Sequence, residues 1–340
     1  MTGAERGLLV LPGRGAYAAA SLGSLDLEHR WVVRADELRA ARGLPTLTEL
    51  DARPRFDPRL HLQPVHAAPL TFVASLLDAE RAASDHHIAA VTASGQGWYS
   101  ALAATGVLGF DDAFTLVQEL GRLQQEPLPH GGRGGQVIYP LTDEEWHADE
   151  ALVASVESVL RDGADGEGGL VYPSIEMGGF TVLAGNDAGV DRILRRLPPV
   201  RLAERLYPLR LALQGPDHTP LAAHVAAAVR ESAIDMAWDG PQVPLIDGRG
   251  ARWTPWSTDP GALRDYSLGE HLTTPHRFAA AVRVALREEA PDRLVLTGPG
   301  SSLAGICGQV IAAEGYQGIR SRTDFEARQA RDPLVLSMRR

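Results

Sequence analysis

The stretch Val91-Thr92-Ala93-Ser94-Gly95-Gln96-Gly97-Trp98-Tyr99-Ser100-Ala101-Leu102 sets an apolar run against a glycine-rich turn and then an apolar helical pattern. A strand that enters a helix through so tight a turn can hold a catalytic side chain at its tip, or meet a phosphate at the helix N-terminus. Ser94 is the hydroxyl nearest the tip. It reads either as a nucleophile or as a partner for the turn backbone. Ser100 falls inside the helical pattern, and Ser301 and Ser302 follow a turn, where serine caps helices. His86, His87 and His130 lack metal-ligand spacing to other histidines, cysteines or carboxylates. Gly13-Arg14-Gly15 lacks the third glycine and the ribose-binding acid of a dinucleotide fingerprint. All 33 basic residues are arginine, so neither a Schiff-base lysine nor a P-loop lysine is available.

The elements that would position these groups alternate between strand and helix. Gly7 to Leu11 reads as a buried first strand entering the turn Pro12-Gly13-Arg14-Gly15. Helical spacing runs on to about Arg42, residues 43–60 read as a loop, and 64–83 as an apolar helix under a sheet. The elbow strand and helix follow, then an amphipathic helix over 111–125. The glycines at 131, 132, 134 and 135 interrupt the chain. Beyond them the pattern is strand 136–141, acidic helix 143–162, a glycine-rich loop, strands 169–173 and 180–184, and helix 186–197. That β-α-β-β-α order predicts a ferredoxin-like unit over 127–199, inserted in a larger domain made of 1–126 and 200–340. A strand over 205–213, a helix over 221–236, a short strand and turn over 243–248, a helix over 276–289, a strand over 293–297 and a last helix complete it. The arginine-rich tail from Arg320 is expected to be loosely ordered.

Composition narrows the class. Apolar residues make up 44 % and the net charge is −10, which fits a globular α/β protein and argues against a general nucleic-acid binder. No run approaches a membrane span of about 20 residues. Residues 1–6 enter the first strand without a cleavable apolar leader. The single cysteine, Cys307, speaks for a reducing compartment. The expectation is a cytoplasmic monomer without a metal or bound cofactor.

Several separate stretches resemble one family in the same order: the malonyl-CoA:acyl-carrier-protein transacylases and the acyltransferase domains of polyketide synthases. Leu11-Pro12-Gly13-Arg14-Gly15 is similar to their Phe-Pro-Gly-Gln-Gly, and Gly97-Trp98-Tyr99-Ser100-Ala101-Leu102 to Gly-Glu-Tyr-Ser-Ala-Leu. Phe110-Asp111-Asp112-Ala113 and Val182-Leu183-Ala184-Gly185 fit the following helix and the small subdomain. Asp217-His218-Thr219-Pro220-Leu221 resembles the His-Thr-Pro-Leu of the catalytic base. His271-Leu272-Thr273-Thr274-Pro275-His276-Arg277-Phe278 resembles Gln-Leu-Thr-Ser-Pro-Val-Arg-Trp, and Gly298-Pro299-Gly300 a late Gly-Pro-Gly. The resemblance implies an α/β-hydrolase-like domain carrying the ferredoxin-like insertion, with the site between them. It also implies acyl transfer from coenzyme A to a serine and on to the phosphopantetheine thiol of an acyl-carrier protein.

The chain departs from that pattern where the chemistry lies. Aligned without a gap, Gly95 takes the nucleophile's place and Ser94 the place of the preceding histidine. His218 is the expected base and the backbone N–H groups of Arg14 and Gln96 the oxyanion donors. Asp247, where the family has an asparagine, could hold His218 in its base tautomer, or simply serve a turn before Gly248. Leu120 stands where an arginine would pair with a malonyl carboxylate, and leucine cannot replace a bidentate arginine. Leu120 and Gln63 are the expected substrate-contacting positions, and a monocarboxylic or apolar acyl group is expected instead of malonyl. Arg192, Arg195 and Arg196, with Arg201, Arg205 and Arg210, form a basic cluster that could steer an acidic carrier protein. Without a serine at the tip, three functions remain open. These are acyl transfer using Ser94 or direct thiol attack, thioester hydrolysis, and a catalytically inactive homologue that binds a carrier or synthase as a scaffold.

Overall fold

The computed structural model describes residues 5–164, 169–202 and 204–338. Residues 1–4, on which part of the no-leader expectation rests, and residues 165–168 of the glycine-rich loop lie outside the described residues.

The described strands are, in chain order, β1 (Arg6–Leu11), β2 (His87–Ala93), β3 (Gly135–Pro140), β4 (Val171–Met177), β5 (Phe180–Gly185), β6 (Val200–Leu202), β7 (Arg205–Tyr207), β8 (Leu209–Arg210), β9 (Leu245–Ile246), β10 (Arg252–Trp253), β11 (His276–Arg277), β12 (Arg293–Leu296) and β13 (Val335–Ser337). A six-stranded sheet runs β10-β9-β2-β1-β12-β13, parallel throughout except where β10 turns back on β9. Its centre is β1, whose Leu8, Leu9, Val10 and Leu11 are buried on both faces, as a parallel strand covered by helices requires. The long helix Pro64–Asp85 packs beneath it and the helix Phe278–Glu288 above.

A second, smaller sheet is ordered β11-β4-β5-β3-β8. Alternate residues of its strands face opposite ways. Val137, Tyr139 and Leu183 pack under the helices Glu150–Ala164 and Asp187–Arg196, while Ile138 and Val182 face the cleft toward the larger sheet. The mixed α/β architecture agrees with the sequence reading.

Four local expectations change. The region before Arg42 is two short 3₁₀ turns, 14–16 and 19–21, and one helix, Arg30–Ala40. The region 43–60 holds two short helices, Leu47–Asp51 and the start of Pro58–His61, each begun by a capping side chain, Thr46 and Asp57. The tail is ordered: the helix Arg322–Arg331 leads into β13, which pairs with β12 as the edge of the large sheet. The small sheet also reaches past Pro199, because β8 pairs with β3 and β11 with β4.

Candidate active site

The elbow has the shape its sequence implied. Ser94 N–H donates to the Leu11 carbonyl at 2.9 Å, Gly97 N–H to the Ser94 carbonyl at 2.9 Å, and Trp98 N–H to the Gly95 carbonyl at 3.0 Å. β2 is thereby clamped to the end of β1 while the chain reverses into the helix Gly97–Ala104. Glycine at 97 is a packing necessity: a Cβ there would stand 2.5 Å from the Pro12 carbonyl oxygen. Gly95 occupies the tip with φ +49°, the left-handed conformation that favours glycine. Neither the N–H of Arg14 nor that of Gln96 donates to any protein acceptor among the described residues. Both residues line the cavity in front of Gly95.

His218 faces the tip from the opposite wall. It too has a left-handed backbone, φ 57°. Its loop is pinned by Thr219 Oγ1 donating to the Pro216 carbonyl at 2.6 Å and by Ser174 Oγ donating to the Asp217 carbonyl at 2.7 Å. Nδ1 lies 2.7 Å from the carbonyl oxygen of His271. A carbonyl only accepts, so Nδ1 carries the proton and Nε2 is the bare, basic nitrogen. A Cβ on Gly95 would lie 3.3 Å from that Nε2. Burial holds the imidazole below its ordinary pKa, helped by Arg14 and opposed by Asp217 and the His271 carbonyl. The ring is therefore neutral, and competent as a base, at neutral pH.

Two more histidines lie beneath it. The ring centroids of His271 and His276 are 5.0 and 5.3 Å from that of His218. His276 Nε2 donates to the carbonyl of Ala93, the last residue of β2, at 3.1 Å, and burial pulls its pKa to about 3. His271 is packed among Trp98, Tyr99 and Tyr266, and burial pulls its pKa well down. Among the described residues no three His, Cys, Asp or Glu side chains are arranged to hold a metal ion.

The Arg14 side chain, 3 % exposed, is inserted into the cavity wall. Its guanidinium donates to Gln124 Oε1 and Gln214 Oε1 and lies 3.4 Å from Asp217 Oδ2, while Gln124 Nε2 donates to Asp217 Oδ1 at 2.9 Å. One residue thus joins the oxyanion loop, the end of the helix Phe110–Leu123 and the His218 loop. Leu120, one turn before Gln124 on that helix, lines the same cavity.

Other expectations are corrected. Asp247 does not hold His218, whose Nδ1 is taken by the His271 carbonyl. Its carboxylate instead accepts from Arg249, the Ala251 N–H and Trp253 Nε1 within the β9–β10 turn. Gln63 does not line the cavity; its amide donates to the Arg59 carbonyl at 2.7 Å. Ser94 lines the cavity but no hydrogen bond joins its hydroxyl to His218 among the described residues. Arg192, Arg195 and Arg196 sit on the helix that covers the far face of the small sheet, and Arg196 pairs with Asp162 at 2.6 Å. Of that basic cluster, Arg205 is the member that reaches the cavity. The residues that sequence reasoning missed are Gln124, Gln214 and the side chain of Arg14. Their only signal was a charged residue in a glycine turn.

No protein-family model matches the chain. The malonyl CoA-acyl carrier protein transacylase of Salmonella typhimurium is 27 % identical over 216 residues, a segment spanning 63 % of this chain and 63 % of that protein's length. The transacylase structure from Coxiella burnetii superposes with a TM-score of 0.74 at 22 % identity, covering 90 % of this chain and 91 % of that one. A malonyl-transacylase in complex with a type II polyketide synthase acyl-carrier protein gives a TM-score of 0.73 at 20 % identity, covering 98 % and 96 %. Relatives and structural neighbours alike are malonyl-CoA:acyl-carrier-protein transacylases, the acyltransferases to which the motifs pointed.

Proposed function

We propose that this chain moves an acyl group between a coenzyme A or carrier-bound thioester and the thiol of an acyl-carrier protein, with His218 as general base. The observation that supports the reading is the facing of His218 Nε2 and Gly95 beside the free N–H groups of Arg14 and Gln96. A thioester carbonyl placed over Gly95 has donors for its developing oxyanion and a neutral base for the attacking thiol. Glycine at the tip leaves the position of the usual hydroxyl open. The incoming phosphopantetheine thiol gives its proton to Nε2 and attacks the carbonyl carbon. The tetrahedral intermediate collapses by expelling the donor thiolate, which takes that proton back. No covalent enzyme intermediate is needed.

The acyl group is not malonyl. Leu120 offers no charge to a free carboxylate, and the Arg14 guanidinium that lines the same cavity is already matched by Asp217. A malonyl carboxylate there would place a second negative charge beside the first. The same geometry would serve water in place of the thiol, and hydrolysis is the nearest alternative. Acyl-carrier protein and acyl-CoA are the proposed partners, and coenzyme A or phosphopantetheine enters as part of a substrate.

Incubation with acyl-CoA and acyl-carrier donors, followed by intact-mass spectrometry of enzyme and carrier, tests this. Acylated carrier without enzyme adduct, with turnover reduced about 10²–10⁴-fold in His218→Ala, is expected. An enzyme adduct abolished by Ser94→Ala would make Ser94 the nucleophile instead. Free acid as the only product would mean hydrolysis. Tight carrier binding without turnover would leave a scaffold.

A further inference from the structure

The two sheets meet at His276. Its backbone belongs to the small sheet, because β11 pairs in parallel with β4, His276 opposite Ile175 and Arg277 opposite Glu176. Its ring crosses to the large sheet, where Nε2 donates to the carbonyl of Ala93 at 3.1 Å. That carbonyl ends β2, two residues before the tip. The neighbouring strand β9 ends at Ile246, opposite Thr92, so the ladder stops one residue short of Ala93. A buried carbonyl must find a donor, and the imidazole supplies it. The ring is buried and requires glycine at 248, where a Cβ would stand 2.1 Å from Nδ1. The Arg277 N–H holds the same turn by donating to the Gly248 carbonyl at 2.6 Å.

The small sheet also leads to the base. Ser174 precedes Ile175 on β4, and its Oγ donates to the Asp217 carbonyl at 2.7 Å, in the loop that carries His218. One strand therefore holds the base through residue 174. Through residue 175 and His276 it holds the elbow that the base faces. His271, whose carbonyl fixes His218 Nδ1, lies five residues before His276 on the same segment.

We propose that His276 is a positioning residue whose hydrogen bond to Ala93 registers the elbow against the small sheet and so sets the gap between His218 Nε2 and residue 95. The proposal rests on the reading of His218 as base. His276 does not line the cavity, so its effect is geometric. Without this bond β2 keeps its pairing with β1, but the turn can shift relative to the small sheet. A displacement of about 1 Å can cost about 10²-fold in rate.

A cysteine at the tip measures the gap without any acyl transfer. In Gly95→Cys, a thiol beside an imidazole should titrate below its free value of about 8.5, read as the pH dependence of alkylation by iodoacetamide. Cys307 is silent, buried with its thiol pushed up to about 12, and reacts only if the fold opens. Adding His276→Phe, which keeps a ring but donates nothing, should bring the tip thiol back toward its free value. His276→Gln, which carries an amide N–H to a similar reach, should keep it low. Gly248→Ala drives the ring off Ala93 from the Nδ1 side and should act as His276→Phe does. It decides the matter should the phenylalanine variant expose Cys307. A tip thiol with the same pKa in every variant, or one raised equally by His276→Gln and His276→Phe, would overturn the proposal. With Gly95 in place, His276→Phe should lower kcat about 10²-fold and leave the donor's KM unchanged. Thiol shifts as expected, with no turnover by the wild type, would remove the transfer reading and keep the positioning role. Wild-type turnover with a thiol unmoved by His276→Phe and Gly248→Ala would do the reverse.

Discussion

His218 presents Nε2 to Gly95 across the cavity, 3.3 Å from where a Cβ on residue 95 would stand. That is tighter than ordinary van der Waals contact, so a side chain at the tip would press against the base with only a small shift of the ring. The imidazole is thus aimed at a position that carries no side chain in this protein.

Gly95→Ser should restore a covalent step. The residue would hold φ +49°, which costs an L-residue about 1–2 kcal/mol, visible as a lower denaturant midpoint. Incubation with acyl-CoA should then give an enzyme adduct that maps to the elbow peptide and is absent from wild type. A folded variant that captures no acyl group from any donor would refute the assignment of the tip.

The buried histidines make stability depend on acid. His218 and His271 are held below the ordinary imidazole pKa, His276 at about 3 and His66 at about 4, each chiefly by burial. Below pH 6.5 the unfolded chain takes up protons that the native fold refuses. Stability is therefore full above that pH and is lost as pH falls toward the native values, by about 1.4 kcal/mol per pH unit for each such histidine. Denaturant titrations between pH 7 and 4 measure the slope, and His276→Asn should reduce it. Turnover should keep its acid limb below pH 6.5, because neutral His218 is the active form.

Asp247→Asn should leave the pH profile and turnover nearly unchanged. A carboxylate orienting the base would instead cost about 10⁴-fold on replacement by the amide. The loss should appear in stability, as the Arg249 and Trp253 contacts weaken. A large fall in kcat with unchanged folding would mean that Asp247 reaches His218 during turnover.

Arg14→Gln should cost about 1–3 kcal/mol of stability, since it strands the buried partners of the guanidinium. It should also lower turnover by the same factor for short and long acyl chains, because it loosens the oxyanion loop and the His218 loop together. An effect confined to one acyl class would show that Arg14 reads the substrate.

Charge reversal separates the two arginine groups. Arg205→Glu, at the cavity, should raise the carrier protein's KM severalfold at low salt and less at high salt. Arg195→Glu with Arg196→Glu, on the far side of the small sheet, should have little effect. The opposite ranking would place carrier docking on that outer helix.

Much of this was written along the chain. The elbow could be read because a buried strand, a glycine turn and a helix are neighbours in sequence, and a glycine at the tip is visible as a letter. His218 could be read because its flanking residues form a local loop of fixed shape. That Leu120 offers no charge is likewise visible as a letter. The strand–helix order carried the α/β class. Other features depended on contacts between distant segments. Which group holds His218 was decided by a main-chain carbonyl 53 residues away, and a carbonyl has no letter in a sequence. Asp247 looked like an orienting acid by position, yet its own turn and Arg249 claimed it. The tail read as loose because its arginines dominate its composition, whereas β12 offered Val335 to Ser337 an unpaired edge. The cavity itself, lined from both sheets and by the helix Leu303–Ala313, exists only once those distant segments are folded together. Local geometry follows from neighbouring side chains, while selectivity follows from surfaces that only folding brings face to face.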